Sequence, residues 1–246
     1  MTANTPIVNA GTKYVDGLSM VWGSTTTLTV ASGACRDSGN TNDITISATK
    51  TLTSTTVGIG GIDVAAAGAS SWYAVYVIGD STGYNASGII GSLSSSAPAL
   101  PRGYDMYRRI GWVLTDGSSH FLAFYQYGKA ENRTYYYDVV ISELSGGNAT
   151  SFTAIDLATS VPPIATEVLL NILFTPDGAT EVAEFLPFGS SASNGIVQYG
   201  CGVAAAQQGM VTVPCALDTA TPKILYKVAS GDTLTAGTAG FKDYLS

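Results

Sequence analysis

The sequence predicts an all-β protein, built as two β-sandwich or jelly-roll-like modules with little helix. Short runs rich in Val, Ile, Thr and Tyr recur along the chain, and these residue types favour a pleated surface. Turn-forming residues separate the runs about every ten residues, which is the spacing of a sandwich or barrel. Segments that resemble helices are short and flanked by Gly.

The first half carries the clearest strand patterns. Asp43–Ala48 alternates polar and apolar residues, the period-2 signature of a half-buried strand. Asp116-Gly117 begins a tight hairpin between two further strands. The predicted strands of this half are Leu18–Trp22, Thr26–Val30, Asp43–Ala48, Thr51–Val57, Trp72–Ile78, Ile110–Thr115 and Phe121–Tyr127.

The second half repeats this style. Glu167–Phe174 is a long apolar strand, and Pro162-Pro163 just before it blocks a helix there. Thr175–Gly178 predicts a turn, because its Pro fixes φ and its Gly tolerates positive φ. The other predicted strands are Glu181–Pro187, Gly195–Tyr199, Met210–Val213, Lys223–Val228 and Leu234–Phe241.

Two Ala-rich segments and one linker complete the predicted organisation. Val64–Ala67 and Val203–Gln208 fit a strand or loop as well as a helical turn or two. A charged stretch at Lys129–Arg133 and a breaker at Ser145–Asn148 indicate a module boundary between them. We therefore expect an N-terminal module over residues 1–137 and a C-terminal sandwich over 138–246, bridged by a strand at Thr134–Ile141.

Composition narrows the possible partners. Only 12% of the 246 residues are charged and the net charge is −7. Nucleic-acid binding needs a basic stripe, and the chain offers none. No apolar run reaches the length of a membrane span, and no secretory signal is visible. Either a neutral polar surface keeps the chain dispersed, or partner subunits cover much of it.

The cysteines predict reduced thiols. Cys35, Cys201 and Cys215 are odd in number and irregular in spacing, unlike a disulfide framework or a zinc site. Cys201 and Cys215 could face each other across a hairpin, but buried thiols acting as small apolar side chains are the favoured interpretation. This fits a reducing folding compartment.

No motif predicts catalysis, a cofactor or a metal. His120 lies in a turn, where neighbouring residues do not supply the geometry of a catalytic triad. Glu181 and Glu184 lie on one predicted strand and point to opposite faces. No metal-ligand spacing is present. A hydrolase stays open as a minor alternative, since carboxylates distant in sequence can pair in space.

Clusters of Tyr and Arg are the most suggestive feature, because both residue types are enriched at interfaces. Sheet packing or a subunit interface is favoured over a site that stacks sugar rings. The arginines are expected to have fixed partners, in an intersubunit or interdomain ion pair. The candidate interface residues are Arg102, Tyr104, Arg108, Arg109, Trp112, Tyr125, Tyr127, Arg133, Tyr135, Tyr136 and Tyr137.

The run Ala99–Gly117 contains Leu-Pro-Arg-Gly-Tyr followed by Arg-Arg-Ile-Gly and an Asp. It resembles the LPxGY…RRIG…D element of tailed-bacteriophage virion structural proteins of the tail-fibre or head-decoration type. The likeness covers most of the chain, and its motifs name no reaction. Further similar segments are Cys35–Ser38, Asn42–Ile44, Trp72–Ile78, Val161–Leu170, Phe188–Ser191 and Ile224–Lys227.

The resemblance implies a homotrimer of sheet-rich modules on the virion, made in the bacterial cytoplasm and released by lysis. The leading hypothesis is a non-enzymatic structural protein that contacts other virion proteins of the capsid, collar or tail. A host-glycan-binding module is the alternative, and changing Tyr136 or Trp112 would weaken its binding. A polysaccharide depolymerase, which would release reducing ends, is the third hypothesis.

Overall fold

The computed structural model describes residues 13–129, 132–218 and 221–245. These residues form nineteen strands and contain no helix, so the all-β prediction is confirmed. The strands pair antiparallel in several small sheets. Within Val64–Ala67 the first three residues form bends, and Val203–Gln208 is a bend that leads into a strand.

Ten strands lie in the first half of the chain and belong mainly to three three-stranded sheets. They are β1 (Val15–Gly17), β2 (Met20–Ser24), β3 (Thr27–Val30), β4 (Gly33–Arg36), β5 (Asp43–Ile46), β6 (Lys50–Thr53), β7 (Trp72–Gly79), β8 (Gly88–Ser92), β9 (Met106–Leu114) and β10 (Phe124–Tyr127). The sheet orders are β1-β4-β5, β2-β3-β6 and β8-β7-β9. Strand β7 is buried along almost its whole length, which explains its continuous apolar sequence.

The other strands form two larger sheets. They are β11 (Arg133–Gly147), β12 (Thr153–Asp156), β13 (Glu167–Thr175), β14 (Val182–Pro187), β15 (Val197–Gly200), β16 (Gln207–Pro214), β17 (Ala216–Asp218), β18 (Thr221–Lys227) and β19 (Thr233–Asp243). One sheet has the order β10-β11-β19-β13-β16, and the other has the order β12-β18-β14-β15, with β17 also paired to β18. In β13 every second side chain from Val168 to Phe174 is buried.

The predicted hairpin after β9 forms only in part. Asp116 Oδ1 accepts the backbone N–H groups of Ser118 and His120, which holds the turn. A single bridge then joins Thr115 to Phe121. Beyond it the chain leaves β9, and β10 pairs with β11 instead. The turn is therefore local, whereas the partner of the next strand is set by the rest of the fold.

The two halves of the chain share one sheet and one core. The position 137/138, predicted as a module boundary, lies inside the fifteen-residue strand β11. Strand β10 precedes this position and pairs with β11, while β19 comes from the chain's end. One buried hydrophobic cluster contains both Trp112 and Phe241. The division into two modules stays a prediction, and the two modules would have this sheet in common.

All three cysteines are free thiols in this structure. Cys35 and Cys201 are buried and Cys215 is half-buried. Strand β15, which ends just before Cys201, pairs with β14, so the hairpin that would bring Cys201 to Cys215 is not formed. Burial raises the pKa of the Cys35 and Cys215 thiols to about 12.

We expect Cys35 to resist alkylation in the folded protein. Because the thiolate is the reactive form, a pKa of about 12 reduces its population at mildly alkaline pH by roughly a thousandfold relative to a free thiol. Alkylation followed by peptide mass mapping measures this, with the urea-unfolded chain as the control. Equal rates of Cys35 modification in the folded and unfolded chains would contradict the expectation.

Candidate functional site

The eleven candidate interface residues comprise a buried group, an accessible group and four residues that belong to neither. Arg108, Trp112, Arg133 and Tyr135 are each 6% exposed or less. They are enclosed by the strands of their own chain, so they are not available for contact with a second subunit. This burial corrects their assignment to a subunit interface and makes them packing residues.

Arg133, the first residue of β11, is held by three backbone carbonyls. Its Nη1 donates to the oxygens of Leu18 (2.9 Å) and Ile110 (2.6 Å), and its Nη2 donates to Gly17 (2.7 Å). Desolvation by burial lowers the pKa of this guanidinium. Several fixed donors on one planar group let Arg133 join three segments at once.

The partner of Arg109 lies within the chain. Its guanidinium pairs with both oxygens of the buried Asp243 carboxylate on β19, at 2.5 and 3.1 Å. Arg108 donates to the backbone oxygens of Lys13 and Leu245, both at 3.1 Å. Two of the three clustered arginines, Arg108 and Arg109, therefore have fixed partners, and these connect β9 to the end of the chain.

An aromatic stack fills the space beside these arginines. The rings of Tyr135 and Phe241 lie 4.6 Å apart and almost parallel, and Trp72 meets Phe241 edge-on at 5.5 Å. The Tyr135 hydroxyl accepts a hydrogen bond from Gln126 Nε2 at 2.7 Å. A Cβ at Gly111 would lie only 2.2 Å from that hydroxyl, so glycine is needed there. We call Arg109, Arg133, Tyr135, Phe241 and Asp243 the seam.

Three more candidates are bound locally or lie apart. The Tyr104 hydroxyl donates to the Ala86 carbonyl at 2.8 Å, and the Tyr137 hydroxyl donates to the Ser160 carbonyl at 2.6 Å. Arg102 is exposed in the loop before β9. These contacts leave Tyr104 and Arg102 apart from the seam, whereas the ring centroid of Tyr137 lies 6.2 Å from that of Phe241.

Tyr125, Tyr127 and Tyr136 form an accessible group on the outer side of the five-stranded sheet. Tyr125 and Tyr127 are 55% and 58% exposed. Tyr136 lies opposite Tyr125 in the β10–β11 register, and its ring meets that of Tyr127 edge-on at 5.9 Å. Side chains two residues apart on a strand share a face, so the three rings lie together. We call this group the tyrosine face.

The surroundings of the tyrosine face carry little charge. Val140 and Met210 on the same sheet are exposed. Across the paired residues of β19 and β13, Lys242 and Glu167 form an ion pair at 2.6 Å, and the remaining charged residue of these two strands, Asp243, is buried. On β11 the carboxylate of Asp138 is exposed. The face is therefore aromatic and sparse in charge.

His120 does not assemble a triad with the neighbouring serines. Its Nδ1 lies 3.6 Å from Asp116 Oδ2, and both side chains are partly exposed. Within the described residues, no hydrogen bond joins His120 to Ser118 or Ser119. It borders a groove of about 320 Å³ whose lining includes Trp22 and Phe121 together with the carboxylates of Asp116 and Asp138.

No protein-family model, curated protein or solved structure matches this chain. The resemblance to virion proteins stays a prediction. Among the described residues, no helix is long and apolar enough to cross a membrane.

Sequence reasoning missed a cluster of three carboxylates. Asp177 and Glu181 lie between β13 and β14, and Asp232 lies just before β19. Their oxygens lie within 4.8 Å of one another. In the sequence the acids look scattered among turns, and the spacing of Asp177 and Glu181 is too common to indicate a site. Only the pairing of β13 with β19 brings Asp232 to them.

Proposed function

We propose that this chain is a non-enzymatic structural protein of a bacteriophage virion, assembled as a homotrimer at the particle surface. The main support for the assembly is the tyrosine face, which is an exposed aromatic surface sparse in charge. The resemblance of the Ala99–Gly117 run to virion proteins supports the particle and the trimer. Contacts with other virion proteins of the capsid, collar or tail belong to the same proposal.

The chemistry of the tyrosine face suits contact with a second copy of the chain. A tyrosine combines a large apolar ring with a hydroxyl that hydrogen-bonds at the edge of a contact. The cores of protein interfaces are enriched in Tyr and Met and depleted in charge. Tyr125, Tyr127 and Met210 are each more than half exposed, so their rings and thioether have area to bury against a neighbouring subunit.

Replacing Tyr127 by Asp is expected to dissociate the assembly. The substitution removes a ring that contacts Tyr136 and places a negative charge on a face whose Lys242 is already paired with Glu167. Light scattering coupled to size exclusion should give three times the chain mass of 25.3 kDa for the natural protein and one chain mass for the variant.

Tyr84→Asp is the matched control, because Tyr84 is 91% exposed and lies in the loop between β7 and β8. This control should remain a trimer. A natural protein that stays monomeric at every concentration, or a Tyr127→Asp variant that stays trimeric, would refute the assembly through this face.

Binding of a host surface glycan is the second candidate function, and the exposed rings favour it because aromatic faces stack on sugars. Trp112 is 1% exposed and cannot serve such a site. The variants that test glycan binding are therefore Tyr125→Ala and Tyr136→Ala. Saturable binding of host polysaccharide that these substitutions weaken would support this function, and release of reducing ends would indicate a depolymerase.

A further inference from the structure

Three carboxylates connect two turns at one end of the second half. Asp177 and Glu181 belong to the turn between β13 and β14, and Asp232 belongs to the turn between β18 and β19. One oxygen of each lies within 4.8 Å of the others. The cluster shares no residue with the seam or the tyrosine face.

Asp232 supplies an independent indication of a ligand. Its side chain is fully buried. Its Oδ1 accepts the Asp177 backbone N–H at 2.9 Å, but its buried Oδ2 has no hydrogen-bond partner. A buried carboxylate oxygen without a donor is costly and is rare in stable structures. The Asp232 carboxylate faces those of Asp177 and Glu181.

The charge of the cluster is not balanced by a basic side chain. Among the described residues, none of the ion pairs includes Asp177, Glu181 or Asp232. Three carboxylates whose oxygens lie within 4.8 Å of one another crowd like charges together. Either a shared proton or a bound cation would reduce the repulsion among the three carboxylates.

We propose that Asp177, Glu181 and Asp232 bind a calcium ion that ties the β13–β14 turn to the β18–β19 turn. The cluster offers only oxygen ligands, which hard cations prefer, and no His or Cys that would favour zinc. Calcium accepts irregular geometry and completes its shell with water, whereas magnesium needs a near-ideal octahedron. Ligands drawn from two turns suit calcium.

The backbone around the cluster allows the two turns to lie close together and orients the carboxylates. Gly231 has φ of +98°, and a Cβ there would lie 1.8 Å from Asp177 Oδ2. The Gly178 N–H donates to Glu181 Oε2 at 3.1 Å, which orients that carboxylate. Glu181 also borders an open groove of about 610 Å³, so an ion can reach the site from solvent.

The test uses the full chain and calcium chloride as the probe. After removal of metal with EDTA, isothermal titration measures calcium binding and thermal scanning measures stability. We expect one calcium per chain and a rise in melting temperature of about 5–10 °C at a hundredfold excess over Kd. Magnesium at the same concentration should give a smaller rise.

Asp232→Asn should abolish binding and the calcium-dependent rise, and Glu181→Gln is the second variant because its side chain is only half-buried. Asp16→Asn, which changes an exposed carboxylate by the same charge, should bind calcium normally. The proposal is independent of the proposed function, since these readings do not depend on oligomeric state.

Two results would overturn the site. One is a natural protein that shows no calcium binding, and a rise in stability on Asp232→Asn at neutral pH would then indicate a shared proton. The other is calcium binding that persists unchanged in both cluster variants, which would locate the ion elsewhere.

Discussion

Replacing Asp243 by Ala should lower the free energy of unfolding by about 3–5 kcal/mol, because it leaves the Arg109 guanidinium without its partner. The Asp243 side chain is fully buried and that of Arg109 is 12% exposed, so little water is available to replace the carboxylate. The guanidinium would stay beside Trp112, whose ring centroid lies 5.4 Å away.

Urea unfolding followed by fluorescence measures this loss. Asp43→Ala is the control, since Asp43 pairs with Arg36 at 3.3 Å but its side chain is 49% exposed, and such surface pairs contribute about 0–1 kcal/mol. The double variant Arg109→Ala/Asp243→Ala should lose less than the sum of the single variants. Equal losses for Asp243→Ala and Asp43→Ala would contradict the structural role of the pair.

Replacing Phe241 by Ala should cost about 3–5 kcal/mol of stability, the range found for large buried aromatics. Phe241 is 1% exposed and is enclosed by the rings of Tyr135, Trp72 and Tyr137. Truncation removes both the stacked and the edge-on contact, and it leaves a cavity among β7, β11 and β19.

Calorimetry measures this second loss, at roughly 2–4 °C of melting temperature per kcal/mol. Phe188→Ala is the matched control, because Phe188 is only half-buried and its truncation should cost on the order of 1–2 kcal/mol. A melting temperature unchanged by Phe241→Ala would show that the aromatic stack is not part of the stabilising core.

Both substitutions also test how the two halves unfold. Asp243 and Phe241 lie on β19, yet their partners Arg109 and Trp72 lie in the first half. We therefore expect one cooperative transition that shifts as a whole in both variants. Two transitions, of which only one moves, would favour separate modules on either side of residue 137.

Strand content was predictable because its determinants are local. The alternation in Asp43–Ile46 and the continuous apolar run of Trp72–Gly79 each formed a strand, and the first is alternately exposed and buried as expected. Glycine and proline fixed several turns in the same way, since their φ preferences act within four residues. The Arg and Tyr clusters were also visible, but their burial was not.

Burial was unpredictable because alternation alone does not say which face is covered. Tyr135 and Tyr136 are adjacent, yet the first is 1% exposed and the second lies on the accessible face. The choice depends on β19, whose residues are more than 90 positions away in sequence. The same holds for the carboxylate cluster, where Asp177 and Asp232 are separated by 55 residues.

The sequence by itself determined an all-β chain of short strands and turns, sparse in charge, with free thiols and clustered Tyr and Arg. Only the tertiary structure decided that β10 joins β11, that Arg109 pairs with Asp243 across 134 residues, and that three carboxylates meet. Strand propensity is a property of neighbouring residues, whereas strand pairing and burial depend on contacts between distant parts of the chain.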